Sequence, residues 1–212
     1  MSVVRIFTDG ACRGNGAPGA VSGCGVWFGH GDPRNVSVLL PAPPHTNQRA
    51  ELYATMLAMR ATLAQDPPPA SVEIVSDSAY CVKGITTWMH TWETKRWCKY
   101  DGKPVANLDL WRAASADTRA LRARGVDLRL IWVKGHSGDV GNDAADDLAG
   151  RAVCEADLLS NATKEASAVA VAVDGHATAV ADYAETQSAD TTAVADCADT
   201  QTADTQYSPN DS

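Results

Sequence analysis

The sequence predicts an α/β domain built on one mixed β-sheet, followed by a polar C-terminal segment. Three β-branched or apolar runs come first, and the glycine-rich turns between them are typical of an antiparallel meander. Two later apolar runs alternate with helical segments, a pattern typical of parallel strands covered by helices. The 212 residues are enough for one domain with a buried core and an additional tail.

The charge is distributed unevenly along the chain. Residues 155–212 contain eleven acids and one base, Lys164, whereas residues 1–154 contain fifteen acids and seventeen lysines or arginines. The formal net charge of −8 therefore arises in the C-terminal segment, and the body is mildly basic. We predict a folded domain over 1–154 and a disordered, acidic, low-complexity tail over 155–212. Residues 166–206 lack Leu and Ile, so they cannot bury enough apolar surface to offset the entropy of ordering.

The first three predicted strands are separated by strong turn signals. Residues 3–8 form a β-branched run that ends before Asp9 and the glycine-rich sequence G-A-C-R-G-N-G. Residues 21–29 and 35–40 form two more runs, and the sequence G-H-G-D-P between them predicts a turn. The prolines of P-A-P-P-H then end the meander.

Apolar residues with helical spacing follow the meander. They predict a helix over 47–65 with an apolar face made of Leu52, Met56, Met59 and Leu63. The remaining predicted elements are a strand at 71–76, short helices at 78–85 and 87–94, a helix at 107–124, a strand at 127–133, and a last helix with the packing face Ala145, Leu148, Ala149 and Ala152. Together these elements predict a mixed sheet covered by helices.

Four carboxylates stand where such a fold would bring them to one point. Two end strands and two lie on helices: Asp9, Asp77, Glu51 and Asp146. Crowded carboxylates repel one another unless divalent cations neutralise them, and hard oxygen ligands favour Mg²⁺ or Mn²⁺. A two-metal nuclease needs this ligand set. Taken singly, each acid also fits a local role, since aspartate is common in turns and glutamate in a first helical turn complements the helix dipole.

Six longer motifs surround these acids or lie between them. They are T-D-G-A-C-R-G-N, T-N-Q-R-A-E-L, V-S-D-S-A-Y, G-I-T-T-W-M-H-T-W, K-P-V-A-N-L-D-L-W and V-K-G-H-S-G-D-V-G-N-D-A-A-D-D-L-A. With them, residues 3–153 strongly resemble the type I ribonuclease H family, in its cellular form with a basic protrusion. The resemblance implies a ribonuclease H-like fold with a five-stranded mixed sheet, in which a three-strand antiparallel meander is joined to two parallel strands and flanked by helices.

The resemblance also implies an activity and a cofactor. The enzyme would hydrolyse the RNA strand of an RNA–DNA hybrid and leave 5′-phosphate and 3′-hydroxyl ends. Two Mg²⁺ ions, for which Mn²⁺ can substitute, would be held by the four acids. Asp9 would contact both ions, with Glu51 and Asp77 on one side and Asp146 on the other.

The choice of Asp146 and the role of His136 rest on the motif. Asp143 and Asp147 flank Asp146, but Asp146 lies ten residues after His136, which is the spacing of the family. By resemblance His136 would shuttle protons or help the product leave. A lone histidine between glycines would otherwise be interpreted as a solvated loop residue.

Further residues match family positions that contact the hybrid. Four residues match positions that contact the two strands of the hybrid: Cys12, Asn15, Asn47 and Gln48. Two more match positions that hold a phosphate of the DNA strand: Thr46 and Asn107. Small polar groups in the minor groove can recognise the 2′-hydroxyls of the RNA strand. Asn15 also suits a turn and Asn47 a helix start, and both roles can hold at once.

Tryptophans and basic residues are interleaved in the middle of the chain and predict a basic protrusion that binds the DNA backbone. We predict substrate contact for Trp88 and Trp92 and structural packing for Trp97 and Trp111. The sequence departs from the family pattern at four positions: Gln48, Ala79, Glu93 and Thr94. These departures bear on hybrid affinity rather than on catalysis.

The sequence favours a monomer of a reducing compartment, located in the cytoplasm or with the nucleoid or nucleus. It contains no secretory signal, no bilayer-spanning run and six scattered cysteines without metal-ligand spacing. One rival is a related nuclease, such as a reverse-transcriptase domain or a transposase core, and another is a silent hybrid-binding module. The four acids argue against the module, because a phosphate-binding surface gains nothing from carboxylates without metals. The acidic tail is either a solubilising appendage or a competitor of nucleic acid for the protrusion.

Overall fold

The strands and helices follow the predicted order in a computed structural model, which describes the backbone of residues 3–185 and the side chains of residues 3–164. The strands are β1 (Val3–Arg13), β2 (Val21–Trp27), β3 (Val36–Leu39), β4 (Ser71–Ser76) and β5 (Asp127–Trp132). The helices are α1 (Asn47–Leu63), α2 (Ala79–Lys83), α3 (Met89–Thr94), α4 (Leu108–Ala123) and α5 (Val140–Glu185). A π-helical turn, Gly84–Trp88, joins α2 to α3.

The five strands form one mixed sheet in the order β3-β2-β1-β4-β5. β1 pairs antiparallel with β2, and β2 with β3, whereas β4 pairs parallel with both β1 and β5. The predicted meander with two added parallel strands is therefore confirmed. β1 lies at the centre of the sheet, where it joins the antiparallel half to the parallel half.

β1 is longer than the sequence predicts. The predicted run ends before Asp9, but the strand continues to Arg13, and Asp9 pairs with Gly25 of β2. Gly10 was interpreted as a turn residue, yet a Cβ at this position would overlap the backbone of Glu51 in α1. Gly10 therefore allows close helix packing within a continuous strand. The turn itself comes later, where Gly14 has a φ of 69°.

The core lies on both faces of the sheet. On the α1 face the predicted helical stripe is buried at Leu52, Met56 and Met59, and only Leu63 is half-buried. On the α5 face the predicted packing residues Ala145, Ala149 and Ala152 are buried, and Leu148 is half-buried. The backbone of α5 lies directly on β2, because a Cβ at Gly25 would overlap the carbonyl oxygen of Ala145.

The compact unit that contains the sheet ends at Thr163. The predicted disorder begins at residue 155, but α5 continues as a helix to Glu185. Alanine-rich sequence explains this difference, because alanine has the highest intrinsic helix propensity. The tail prediction for residues 186–212 lies outside the described residues. None of the helices in the described part combines the length and apolarity needed to cross a bilayer.

Candidate active site

Two of the four acids are brought together by neighbouring parallel strands. Phe7 of β1 pairs with Val75 of β4, so Asp9 and Asp77 lie two residues farther along adjacent strands. Asp9 is buried, and its Oδ1 accepts a hydrogen bond of 2.7 Å from the backbone N–H of Gly10. The carboxylates of Asp9 and Asp77 therefore face the same end of the sheet.

Glu51 reaches this point from α1. The helix begins after Thr46, whose Oγ1 accepts a hydrogen bond of 3.3 Å from the backbone N–H of Arg49. The Glu51 carboxylate accepts two hydrogen bonds, from Ser78 Oγ at 2.6 Å and from Asn47 Nδ2 at 2.8 Å. Ser78 also accepts a bond from the N–H of Cys81, so one hydroxyl caps α2 and holds Glu51.

Asp146 and His136 complete the group from the C-terminal side. Asp146 lies on α5, and its side chain is 41% exposed. His136 lies in the loop after β5 with a φ of 50°, and its side chain is 81% exposed. The His136 Nδ1 lies 3.7 Å from the Asp146 Oδ2, so the pair forms an ion pair whenever the imidazole is protonated.

The charges of the three other acids all act on Asp9. Burial, together with the charges of Asp77, Asp146 and Glu51, raises the pKa of Asp9 to about 8, and the Gly10 N–H opposes the shift. Burial, aided by Asp77, also raises the pKa of Glu51 against the hydrogen bonds from Ser78 and Asn47. Of the acids in the first turns of α5, Asp146 is the one that acts on Asp9, which favours it over its neighbours.

This donor set fits divalent cations chemically. It consists of carboxylate oxygens, which are the ligands of Mg²⁺ and Mn²⁺, and a buried cluster of them is costly without a positive charge. Within the described residues, no three His, Cys, Asp or Glu side chains form a ready-made metal site.

The predicted substrate residues near Glu51 lie beside the acids. Asn15 accepts a hydrogen bond of 3.0 Å from the backbone N–H of Asn47, which connects the β1–β2 turn to the start of α1. Asn47 in turn binds Glu51, so it has a structural role as anticipated. Cys12 is half-buried on β1, and Gln48 is exposed on α1. Their contacts with nucleic acid remain predictions.

The predicted aromatic residues form one connected cluster. Trp111 is fully buried, as expected for a packing residue, and its ring centroid lies 5.2 Å from that of Trp92. Trp92 lies 5.7 Å from Trp88, and both are half-buried. Tyr80 links this cluster to Asn107, whose Nδ2 donates to the Tyr80 hydroxyl at 3.1 Å. Trp97 also packs against the core, which agrees with its predicted role.

Glu93 has a structural role in the protrusion. The Ser115 hydroxyl donates to its carboxylate, and Arg119 Nη1 donates to the same oxygen at 2.6 Å. Glu93 therefore attaches α3 to α4. Neighbouring basic side chains remain exposed, namely Lys95, Arg96, Lys99 and Lys103. Glu93, one of the predicted departures from the family pattern, thus stabilises the contact between α3 and α4.

Three residues beside the acids were missed by the sequence prediction. Ser78 could have been found, because serine before a short helix is a common N-cap signal. Asn142 and Gly135 contact Asp77, as described below, but nothing in their local sequence distinguishes them from ordinary loop and helix residues. Only the fold brings them to β4.

Comparison with known proteins identifies the family. The family model described as RNase H matches residues 1–154, which is most of the chain. The chain belongs to the RNase H family. A ribonuclease H of Methylobacillus flagellatus is 41% identical over 155 residues, which cover 72% of this chain and 92% of that protein. A ribonuclease H of Schizosaccharomyces pombe is 43% identical over 71% of this chain, but the match spans only 53% of that relative.

A solved structure agrees with this assignment. LC9-RNase H1, described as a type 1 RNase H with the type 2 active-site motif, is 31% identical with a TM-score of 0.54. The match covers 71% of each chain. The predicted ribonuclease H-like fold and the enzyme class are therefore confirmed. The present chain contains the four acids and the histidine loop on which the family prediction was based.

Proposed function

We propose that this RNase H hydrolyses the RNA strand of RNA–DNA hybrids with two divalent cations, leaving 5′-phosphate and 3′-hydroxyl ends. The convergence of three acids on the buried Asp9 supports this proposal most directly. Such a cluster is unfavourable in a protein interior unless cations offset its charge. Enzymes of this family generally use divalent metal ions.

The four acids are the proposed cation ligands. Asp9 is central and would be shared, with Glu51 and Asp77 on one side and Asp146 on the other. When bound, the cations supply activation of a water molecule and stabilisation of the leaving 3′-oxygen. Ser78 and Asn47 keep the Glu51 carboxylate directed toward the site, because each donates a hydrogen bond to a different oxygen.

His136 is the proposed proton carrier. Its exposure to solvent lets it exchange protons with water, and its position 3.7 Å from Asp146 keeps it beside the site. An imidazole can both accept and donate a proton, so His136 can accept a proton from the side of the attacking water or deliver one to the departing product.

Recognition of the hybrid is proposed to use both sides of the site. Cys12, Asn15, Asn47 and Gln48 would contact the minor groove, where the 2′-hydroxyls distinguish RNA from DNA. Thr46 and Asn107 would hold a DNA-strand phosphate, with Trp88 and Trp92 against the sugars. The exposed lysines of the protrusion add charge attraction that weakens with salt.

A cleavage assay with defined duplexes tests the proposal. Wild-type protein and the Asp9→Asn variant are incubated in Mg²⁺ with end-labelled hybrid, double-stranded DNA and double-stranded RNA of one sequence. We expect wild-type protein to cut only the RNA strand of the hybrid. Ligase should join the fragments without prior kinase treatment if they carry 5′-phosphates.

The variant serves as the matched control. Asp9→Asn conserves side-chain size and should bind the hybrid without cutting it. Wild-type protein that binds the hybrid but leaves it intact would falsify the enzyme proposal. Equal cutting of double-stranded DNA would instead favour a transposase-like nuclease.

A further inference from the structure

Asn142 is a buried amide whose hydrogen bonds are incomplete. It lies in the first turn of α5, and 1% of its surface is exposed. Its Nδ2 lies 3.4 Å from Asp77 Oδ2, which is the single partner that the described residues offer to this amide. The Asn142 Oδ1 is buried without a hydrogen bond in that part of the chain.

Such an arrangement lowers the stability of the folded protein, so stability does not explain it. A buried polar atom without a partner loses its hydrogen bonds to water and gains nothing in return. An apolar side chain of similar volume would avoid this loss. The position of Asn142 is therefore better explained by what its amide does to Asp77 than by the stability of α5.

Asp77 is constrained from three directions. Asn142 Nδ2 faces its Oδ2, and Gly135 lies so close that a Cβ there would overlap the same oxygen. Trp132 Nε1 donates a hydrogen bond of 3.0 Å to the backbone carbonyl of Asp77. Among the described residues, Asn142 is the only side chain that donates a hydrogen bond to the Asp77 carboxylate.

We propose that Asn142 is a positioning residue that orients the Asp77 carboxylate for cation binding. The proposal rests on the function proposed above, in which Asp77 is a ligand. Residues that hydrogen-bond to a metal ligand typically change metal affinity or activity by about 10–100-fold when they are replaced. Asn142 and Asp146 are both carried by α5, so the same helix would position one proposed ligand and supply another.

The Asn142→Leu variant tests the proposal, because leucine is similar in volume and lacks the amide. We expect Mn²⁺ affinity, measured by calorimetry, to fall about tenfold or more. The melting temperature in EDTA should stay the same or rise, because an unsatisfied buried amide is removed. Weaker cation binding should lower kcat at limiting Mg²⁺. At saturating Mg²⁺ much of this loss should be recovered, and the KM for hybrid should be unchanged.

Two further variants distinguish the positioning of Asp77 from a nonspecific disturbance of the fold. Ser22→Ala removes another buried side-chain oxygen that has no partner in the described structure, and it should leave Mn²⁺ affinity unchanged. Gly135→Ala keeps Asn142 but adds a methyl group against Asp77 Oδ2, so it should lower Mn²⁺ affinity as well. This second perturbation of Asp77 provides a test even if Asn142→Leu folds poorly.

The outcomes distinguish this inference from the proposed function. Loss of Mn²⁺ affinity in Asn142→Leu and Gly135→Ala, but not in Ser22→Ala, supports the positioning role. A lower melting temperature of Asn142→Leu with unchanged Mn²⁺ affinity, or unchanged affinity in Gly135→Ala, overturns it. If wild-type protein neither binds Mn²⁺ nor cuts hybrid, the proposed function fails first and the inference fails with it.

Discussion

The proposed catalytic residues divide into an inner group on the sheet and α1 and an outer group on α5 and its preceding loop. The inner acids, Asp9, Glu51 and Asp77, are buried or half-buried and accept hydrogen bonds from neighbouring groups. The outer residues are more exposed, with 41% of the Asp146 side chain and 81% of the His136 side chain accessible, and they share one contact of 3.7 Å. In the proposed function, this difference separates the fixed ligands of the inner group from His136, which would exchange protons with water.

The inner group should be far more sensitive to substitution. Replacing Asp9 with Asn removes the acid on which the others converge, and we expect the cleavage rate to fall at least about a thousandfold because several kcal/mol of charge stabilisation are lost. Single-turnover cleavage of a labelled hybrid measures this loss. A residual rate within tenfold of wild type would remove Asp9 from the centre of the site.

The same substitution should stabilise the protein in EDTA. Native Asp9 keeps its proton up to a pKa of about 8, whereas the unfolded chain loses it near pH 4. The contribution of Asp9 to the free energy of unfolding is therefore greatest below about pH 4, and it declines as the pH rises to about 8. Asp9→Asn should abolish the decline and raise the melting temperature at pH 8 by roughly 4 °C or more. Equal melting temperatures of wild-type protein and Asp9→Asn at pH 8 would contradict the burial of a charge at this position.

Substitution of His136 in the outer group should lower activity less than substitution of Asp9. We expect His136→Asn to lower kcat by about 10–100-fold, near the lower limit for loss of a proton carrier, and to leave Mn²⁺ affinity unchanged. Asparagine is the appropriate replacement because it tolerates the left-handed backbone conformation at φ 50°. The pH dependence of kcat provides the readout. A profile identical to that of wild type would show that His136 is only a solvated loop residue.

A smaller effect is expected at Ser78, which donates a hydrogen bond to Glu51 of the inner group but is not a proposed ligand. Ser78→Ala removes both the hydrogen bond to Glu51 and the cap of α2. Mn²⁺ affinity should fall about tenfold, and stability should fall by about 1 kcal/mol. Ser78→Thr keeps the hydroxyl and should retain most of both properties. Loss of stability alone would restrict Ser78 to its capping role.

The sequence predicted the sheet well because its signals are local. Turn signals between the apolar runs define the meander. Asp77 follows a short buried strand that has the predicted bounds. The extension of β1 was missed because Gly10 looks like a turn residue in sequence. Its actual role depends on α1, which packs against the strand more than forty positions later.

Interactions between distant segments could not be predicted. The contact of Asn142 with Asp77 joins residues 65 positions apart, and it depends on how α5 lies against β4. The π-helical turn between α2 and α3 is equally non-local, since a Cβ at Gly84 would overlap the Trp111 ring of α4. Such features follow from packing, which single-sequence patterns do not contain.

The acidic tail should have the smallest effect. Residues 165–212 contain nine acids and no lysine or arginine, but these acids are spread over 48 positions. We therefore expect deletion of residues 164–212 to change hybrid affinity at low salt by less than about threefold, because dispersed charges compete weakly with a phosphate backbone. Fluorescence anisotropy over a salt series measures this change. Much tighter binding by the truncated protein at low salt alone would favour the competing role of the tail.

Proton release during metal binding tests the central claim most directly. At pH 7 Asp9 is mostly protonated, because its pKa is raised to about 8, and a cation must displace that proton. Calorimetric titration with Mn²⁺ in two buffers of different ionisation enthalpy should give a release approaching one proton at pH 7 and much less at pH 9. Asp9→Asn should release almost none. Mn²⁺ binding without proton release at pH 7, or equal release by Asp9→Asn, would contradict the assignment of the buried acids as the cation site.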